Sequence, residues 1–281
     1  MKSSDVKTVN YNSVNPFRLN IRYVAIDSNS PENVYDSHIH TECEIYINIS
    51  GDVSFMVEDH IYPIMPGSII ITRPYEYHHC IYHGNSIHKH FWILFSAEQN
   101  EHLLDRFFKR PLGQDNLLTI PTEKLPDLTG LCYKILNGTV SEAEKLYLFL
   151  KLIHTLNTAD IPDATVENFP EDVSMAIRYI SSNLSYPMTV NEIAYASHVS
   201  VNTLERHFAT YLHISPSAFL RKKRLANAAE KLYNGCSVME ACQSSGFSDY
   251  SNFISLFKKT YGVTPLKYKN QALLHSVQNE N

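Results

Sequence analysis

Three histidines and one glutamate stand at spacings that suit a metal site in the first third of the chain. His38 and His40 are two residues apart, Glu44 follows four residues later, and His78 lies further along. Because side chains alternate along a strand, the spacing predicts that His38 and His40 project from the same face of one strand. Imidazole nitrogens and a carboxylate suit a borderline divalent ion such as Zn²⁺, Fe²⁺, Mn²⁺ or Ni²⁺. These four residues are therefore a candidate metal site.

The same side chains suit two other roles, and the sequence leaves all three open. Polar groups inside a β-domain can bind an organic ligand directly, and histidines can be purely structural. Tyr46 and Trp92, the only tryptophan, add aromatic faces that suit a sugar or another small polar molecule. We favour an effector pocket that requires no cofactor, lined by His38, His40, Glu44, Tyr46, His78 and Trp92.

A second set of polar side chains lies on two similar segments nearer the C-terminus. In residues 250–261, Phe253 and Phe257 stand four apart and predict the buried face of a helix, with polar and basic residues on the other faces. The earlier segment 201–212 repeats this layout. The polar faces of such helices, called their fronts below, can bind base edges and phosphates. The candidate DNA-contacting residues are Val201, Asn202, Thr203, Arg206 and His207 in one segment, and Tyr250, Ser251, Asn252, Ser255, Lys258 and Lys259 in the other.

The residues around 250–261 predict how that helix is positioned. Residues 237–244 predict a short helix, and Gly246 permits the positive φ of a tight turn. Ser248 or Asp249 can cap the following helix, which Gly262 then ends. Two helices joined by a glycine turn, the second with an apolar back and a polar front, form the layout of a helix-turn-helix DNA reader.

A long helix is predicted between the two segments. Residues 215–233 contain no glycine, and Pro216 is the only proline. At ~1.5 Å per residue this helix would be roughly 28 Å long. Adjacent major-groove segments on one side of DNA are ~34 Å apart. The connector therefore has the right scale to hold two reading helices in neighbouring segments of the groove.

The last hundred or so residues resemble the DNA-binding domain of the AraC/XylS family of bacterial transcription regulators. Gly246-Phe247-Ser248-Asp249, Phe257-Lys258-Lys259 and Thr264-Pro265 match the family signature, and residues 224–229 match its connector pattern. The chain departs from the pattern at Ser255, where a basic residue is common, and at His213, where glycine is usual. The resemblance implies a homodimeric regulator that binds double-stranded DNA and contacts RNA polymerase.

The N-terminal part predicts a β-structure. Turn residues separate short segments rich in Ile, Val, Phe and Tyr between about residues 18 and 96, which indicates an antiparallel barrel or jelly roll. The clearest of these segments are 43–49, 53–57, 68–72 and 91–95. With Gly51 and Pro66-Gly67, the His38/His40/Glu44/His78 set resembles the two cupin motifs. This resemblance implies a small cupin-like sensor barrel.

Helical patterns follow the predicted barrel. Residues 98–109, 127–136 and 142–156 carry apolar residues at three- and four-residue steps. The stripe in 142–156 would pack on the barrel or pair with its copy in a second chain. We therefore expect a multidomain β-then-α protein: a cupin-like barrel in 1–97, a helical dimerisation region in 98–157, a linker in 158–170, and an all-α domain with two helix-turn-helix units in 171–281.

Charge and cysteine content narrow the function classes. The net charge is −5, but residues from Glu171 onward carry +3 and the preceding residues −8, so positive charge accompanies the predicted DNA-binding units. The five scattered cysteines form no C-x-x-C pair, which is typical of reduced thiols in the cytoplasm. No run of eighteen apolar residues exists, so no membrane partner is expected.

The sequence favours a non-enzymatic, sequence-specific transcription regulator, with activation as the expected direction and a small molecule as the effector, a sugar being one candidate. The alternatives are a metal-dependent cupin enzyme and a metal-sensing regulator, both motivated by the histidine and glutamate set. A third alternative is an adaptor that uses its helical corners to bind protein. The paired helix-turn-helix layout argues against the enzyme, because catalysis does not need it.

Overall fold

The computed structural model describes residues 6–11, 17–27, 39–83, 87–96, 98–162 and 167–277. The chain divides into two compact units, Met1–Glu167 and Asn168–Asn281. The division falls inside the segment 158–170 that the sequence predicts to be a linker. Each unit is described by itself below.

The N-terminal unit contains two sheets. The strands are β1 (Val6–Tyr11), β2 (Leu19–Asp27), β3 (Cys43–Ser50), β4 (Asp52–Val57), β5 (His60–Ile64), β6 (Ser68–Thr72), β7 (His78–His83), β8 (Ile87–Phe95) and β9 (Leu117–Thr119), and the two-residue β10 (Glu167–Asn168) stands at the division between the units. The larger sheet has the order β1-β2-β8-β3-β6-β9, and the smaller one β10-β5-β4-β7. The pairings of β3 with β8 and of β4 with β7 are antiparallel, which confirms the predicted antiparallel sheet structure.

The outer face of the larger sheet is covered by helices. These are α1 (Asp105–Phe108), α2 (Leu125–Asn137) and α3 (Glu142–Asn157), with short 3₁₀ turns at Glu98–Leu103 and Thr122–Lys124. Phe149 of α3 packs its ring 5.2 Å from Phe17 and 5.1 Å from Phe95 of β8. Most of the apolar stripe of α3 therefore packs on the sheet and shares one core with it. Burial of this apolar surface is the main force that holds the helices there.

The inner faces of the two sheets enclose a second cluster, called the barrel interior below. Its apolar part contains Tyr46 of β3, Phe55 of β4, Tyr62 of β5 and Ile70 of β6. Residues directly opposite each other on neighbouring strands share a face. Trp92 is opposite Tyr46, and His90 is opposite Asn48, so both β8 residues also lie on the interior face.

The helix predicted over 98–109 is wrong as one continuous element. A 3₁₀ turn ends at Leu103, and α1 starts only at Asp105. The amide of Asn157 donates to the carbonyl of Leu103 at 2.8 Å, and the N–H of Phe107 turns instead to Leu104 at 2.9 Å. A side chain 54 residues away therefore takes the carbonyl that would continue an α-helical ladder.

The regular elements of the C-terminal unit after Asn168 are all helices. It contains α4 (Glu171–Ser182), α5 (Val190–Ala196), α6 (Val201–Leu212), α7 (Pro216–Tyr233), α8 (Val238–Ser244), α9 (Tyr250–Tyr261) and α10 (Pro265–Val277). The pairs α5–α6 and α8–α9 are the two predicted helix-turn-helix units, and α7 is the predicted connector. None of the helices in the described residues is long and apolar enough to cross a membrane.

Side chains cap both candidate reading helices, α6 and α9. Ser200 accepts from the N–H of Thr203 at the start of α6, and Asp249 accepts from Asn252 at the start of α9. Leu204 and Phe208 on α6 are fully buried, as are Phe253 and Phe257 on α9. The spacing of these four apolar residues thus predicted the buried faces correctly.

Candidate functional site

Glu44 stands between two histidines in the barrel interior. Its Oε2 lies 3.1 Å from Nε2 of His40 and 3.2 Å from Nε2 of His78. One ligand atom from each of the three residues lies within 4.8 Å of the others. Glu44 and His78 are buried, and His40 is partly exposed. The structure therefore brings together three of the four residues grouped from the sequence, while His38 lies outside the described residues.

His40 reaches this cluster from a bend, so the prediction that it lies on a strand is wrong. β3 begins only at Cys43. The intervening residues form local hydrogen bonds: Nδ1 of His40 is 3.0 Å from the carbonyl oxygen of Glu42, and the N–H of Thr41 donates to the Glu42 carboxylate at 3.0 Å. Side chains that bond to nearby backbone groups compete with a strand ladder.

A buried ion pair fixes the position of His78. Arg110 donates to both carboxylate oxygens of Glu76 at 2.7 and 2.6 Å, and Gly113 adds a backbone N–H at 2.9 Å. The backbone carbonyl of Glu76 in turn lies 2.9 Å from Nδ1 of His78. No local sequence signal predicts this ion pair, because Glu76 and Arg110 are 34 residues apart.

Electrostatics in the interior favour a charged Glu44 and a neutral His90. Burial alone would raise the pKa of Glu44, but the charge of His78 and hydrogen bonds from His40 and His78 hold it well below its usual value. Burial alone would lower the pKa of His78, but the neighbouring Glu44 carboxylate raises it. Burial lowers the pKa of His90 to about 3, so this ring is uncharged at neutral pH.

Aromatic rings line the interior next to this cluster. Tyr46 is buried and stacks on His90 with ring centroids 4.4 Å apart. Trp92 is partly buried, and the guanidinium carbon of Arg22 lies 4.7 Å from the centre of its ring. Tyr46 and Trp92 thus share the interior face with Glu44, as a pocket would require.

Asn48 is an interior polar residue that the sequence grouping missed. It is 0% exposed, and neither atom of its side-chain amide has a hydrogen-bond partner among the described residues. Its neighbour His90 likewise has no partner at Nδ1 there. The signal was present, because Glu44, Tyr46 and Asn48 alternate with the apolar Ile45 and Ile47. A buried amide without partners usually bonds a water or ligand.

The front of α9 is open to solvent. Phe253 and Phe257 are buried on its back, whereas all six candidate contact residues on this helix are exposed. Lys258 and Lys259 are in its last turn. The exposed residues are Tyr250, Ser251, Asn252, Ser255, Lys258 and Lys259.

Fewer of the candidate DNA-contacting residues are exposed on α6 than on α9. Asn202 and Arg206 are exposed and Val201 is half-buried. The hydroxyl of Thr203 lies 2.9 Å from that of the capping Ser200. Nδ1 of His207 lies 2.7 Å from a carboxylate oxygen of Asp172 on α4. Asn202 and Arg206 are therefore the residues of α6 best placed to reach a base edge.

Two family models match the chain, one in each unit. The AraC-like ligand binding domain matches residues 20–152. A helix-turn-helix domain matches residues 188–271, which include both units and the connector α7.

Similar proteins are transcription regulators. The regulatory protein PocR of Salmonella typhimurium is 31% identical over 105 residues, which cover 36% of this chain and 35% of PocR. The chain thus matches about a third of the length of that relative. Two relatives match over most of their length: the transcriptional activator RhaS of Mannheimia succiniciproducens, 20% identical over 86% of this chain and 92% of RhaS, and the raffinose operon regulatory protein RafR of Pediococcus pentosaceus, 24% identical over 84% and 86%.

The matched segments coincide with the structural elements described above. The ligand-binding model covers the strands from β2 to β9 and most of α3, and the helix-turn-helix model runs from just before α5 into α10. The chain therefore carries an AraC-like ligand-binding domain followed by a helix-turn-helix domain, and it is homologous to regulators of the AraC family.

Proposed function

We propose that the chain is a sequence-specific activator whose two helix-turn-helix units bind neighbouring major-groove segments. The main support for this proposal is that the same layout occurs twice. Both α6 and α9 bury apolar residues on one face and expose polar residues on the opposite face, and α7 joins the two units. At ~1.5 Å per residue the eighteen residues of α7 extend about 27 Å, near the ~34 Å groove repeat. The similar protein RhaS is a transcriptional activator, which supports the direction of regulation.

The barrel interior is the proposed effector site, and the proposed effector is a carbohydrate. Neutral hydrogen-bonding groups beside aromatic faces suit hydroxyl-rich molecules. Asn48, Tyr46, His90 and Trp92 supply such groups on one face of the larger sheet. The relative RafR is named for the raffinose operon, which makes raffinose a reasonable first compound to test.

The remaining parts of the proposal concern partners and setting. The chain acts in the cytoplasm as a homodimer, contacts RNA polymerase, requires no cofactor for DNA binding and catalyses no reaction. The effector changes the affinity for DNA or the contact with polymerase. These statements go beyond the two domain matches and rest on the similarity to AraC-family regulators.

The test is selection of binding sites from a random DNA library, followed by Arg206→Ala. The expected site has two conserved parts about 10–10.5 base pairs apart, one for each unit. An arginine that binds guanine through two hydrogen bonds contributes about 1–3 kcal/mol of discrimination, so Arg206→Ala should relax preference at one position of one part.

Arg178→Ala provides the control, because Arg178 is exposed on α4 and outside both reading helices. It should leave the selected sequence unchanged. Equal affinity for all DNA sequences, or no binding to any, would refute the proposed function. Uniform weakening by Arg206→Ala would refute only its role in reading a base.

A further inference from the structure

The two histidines beside Glu44 are held with the same ring atom toward its carboxylate. Nδ1 of His78 lies 2.9 Å from the carbonyl oxygen of Glu76, and Nδ1 of His40 lies 3.0 Å from that of Glu42. A carbonyl oxygen can only accept a hydrogen bond, so each Nδ1 must carry the hydrogen. In a neutral ring, this leaves a lone pair on Nε2.

Both Nε2 atoms face the same oxygen of Glu44, at 3.1 and 3.2 Å. A lone pair at this distance from a carboxylate oxygen is repelled unless positive charge lies between them. A second proton on His78 alone would leave the His40 lone pair facing the carboxylate, and a second proton on each ring would place two imidazolium ions around it, with the His78 side chain only 1% exposed. Burial of charged groups is costly, and here the two positive charges exceed the one negative charge. A single divalent cation would replace both protons.

We propose that His40, Glu44 and His78 bind one divalent transition-metal ion in the barrel interior. Two imidazoles and one carboxylate are a recognised ligand set for such ions and leave coordination positions open. Histidines that bind metals usually donate their other ring N–H to a carbonyl or carboxylate, as both rings do here. Ligand atoms about 2.0–2.1 Å from a tetrahedral zinc lie about 3.3 Å apart, close to the two distances observed.

The surroundings hold two of the ligands and leave the third open to solvent. The hydrogen-bond network of Glu76 and Arg110 fixes His78, and Glu44 lies on β3. His40 belongs to the bend before β3, and its side chain is 19% exposed. The fixed pair and the outer histidine thus give a preformed site that is reached from solvent at His40.

Metal binding by this cluster is independent of DNA recognition. It is measured on the purified full chain without a histidine tag, after removal of metals with a chelator. Co²⁺ is titrated while visible absorption and the heat of binding are recorded, and Mg²⁺ serves as the comparison because it prefers oxygen ligands. We expect one Co²⁺ per chain, an absorption band of protein-bound cobalt, and no competition by Mg²⁺.

Three variants and one control locate the ion. His40→Gln, Glu44→Gln and His78→Gln should each weaken Co²⁺ binding by at least about 10-fold, the lower end of the loss seen when even the supporting partners of metal ligands are changed. His102→Gln, at an exposed histidine on the 3₁₀ turn, should bind Co²⁺ like the unaltered chain. Far-UV circular dichroism checks folding, and His40→Gln keeps the test valid if a buried variant unfolds, because His40 is outside the strands.

Failure to bind stoichiometric Co²⁺, Zn²⁺, Mn²⁺ or Ni²⁺, or Fe²⁺ under anaerobic conditions, would overturn the proposal, and the cluster would then be a proton-bridged carboxylate. Binding that survives both His40→Gln and Glu44→Gln would also overturn it. DNA binding measured on the same samples keeps the two hypotheses separate, because a chain that binds its DNA site but no metal refutes only the metal site.

Discussion

Gly246 occupies a position where a side chain has no room. Its φ is +81°, and an added Cβ would lie 2.2 Å from the carbonyl oxygen of Leu184 and 2.7 Å from Nε of Arg224. In this crowded region Arg224 donates to the carbonyls of Leu184 and Tyr186, at 3.2 and 2.6 Å. Glycine at this turn therefore lets the connector α7 bind the segment between α4 and α5.

Gly246→Ala should destabilise the C-terminal unit strongly, whereas Gly262→Ala should cost only the backbone strain. Gly262 has a similar φ of +74°, but an added Cβ would meet no atom within 4 Å. We expect Gly246→Ala to cost at least about 2 kcal/mol more than Gly262→Ala. Urea unfolding of the full chain measures this by far-UV circular dichroism. Trp92, the only tryptophan, is in the other unit, so its fluorescence transition should not move. An equal loss of unfolding free energy in both variants would show that the Cβ added at residue 246 is accommodated without a steric penalty.

Asn48, in contrast to Gly246, is a residue whose buried amide lowers the stability of the fold but is available to bind a ligand. Replacing an unpartnered buried amide with an apolar group of similar shape removes a desolvation penalty of about 1–3 kcal/mol. Asn48→Leu should therefore stabilise the unliganded N-terminal unit, as measured by thermal unfolding followed with Trp92 fluorescence. A ligand at a hundred times its Kd adds about 2.7 kcal/mol to the unaltered chain, and this gain should shrink in the variant.

Asn116→Leu is the matched control for that experiment. Asn116 is also 0% exposed, but its amide donates to the carbonyl of Ile71 at 2.8 Å and to Glu76 at 3.2 Å. Its replacement should destabilise the unit because two acceptors lose their donor. Destabilisation by Asn48→Leu of the same size would mean that the Asn48 amide is already satisfied within the fold.

At the scale of elements, different parts of α9 are suited to reading bases and to binding phosphates. Its first half carries Asn252 and Ser255, whereas Lys258 and Lys259 are in the last turn. Lysines near the end of a reading helix suit phosphates, which fix position without reporting sequence. Replacing both lysines with Ala should therefore weaken binding to every DNA sequence. The slope of log affinity against log salt should also become shallower by about 0.9 for each phosphate that the variant no longer neutralises.

Lys267→Ala is the control for the double variant, because Lys267 is exposed on α10 rather than on α9. It should leave the salt slope unchanged. A double variant that loses affinity for one sequence only would assign the two lysines to base reading instead.

The helices of the C-terminal unit were predictable from local signals, whereas the helix predicted over 98–109 and several strands were not. Four-residue apolar steps marked α6 and α9, the Ser248 or Asp249 cap marked the start of α9, and the absence of glycine marked α7, because these signals act within a few residues. β9 is three residues long and forms because it pairs with β6. Three residues are too few for an alternation of polar and apolar residues to predict a strand. The N-terminal strand β1 has the same origin in its pairing with β2.

The candidate site was predictable as residue types but not as geometry. His40, Glu44 and His78 were grouped correctly because motif spacing brought them together. The bend that carries His40 and the Glu76–Arg110 pair that holds His78 depend on interactions that local patterns do not encode. Asn48 followed the alternation of β3, yet its significance rests on missing partners, which only a structure reveals.

At the scale of the whole molecule, the oligomeric state determines how many reading helices meet the DNA. α3 buries Phe149 and Ile153 against the larger sheet, but Tyr147 is 63% and Leu150 37% exposed on its outer side. Two chains joined through this surface would present four units, and linked binding events raise overall affinity even when no new interaction forms. The proposed homodimer therefore predicts that α3 governs both association and the strength of DNA binding.

Tyr147→Glu should convert a dimer to a monomer, because a charge in an apolar interface is desolvated without a partner. Leu112→Glu is the matched control: Leu112 is also exposed and apolar, but it lies outside α3. Sedimentation equilibrium measures the association, and DNA titration compares a single selected site with two sites in tandem. The variant should keep its affinity for the single site and lose the gain from the second. A monomeric unaltered chain, or equal dissociation by both variants, would remove α3 from the interface and leave each chain to bind DNA through its own two units.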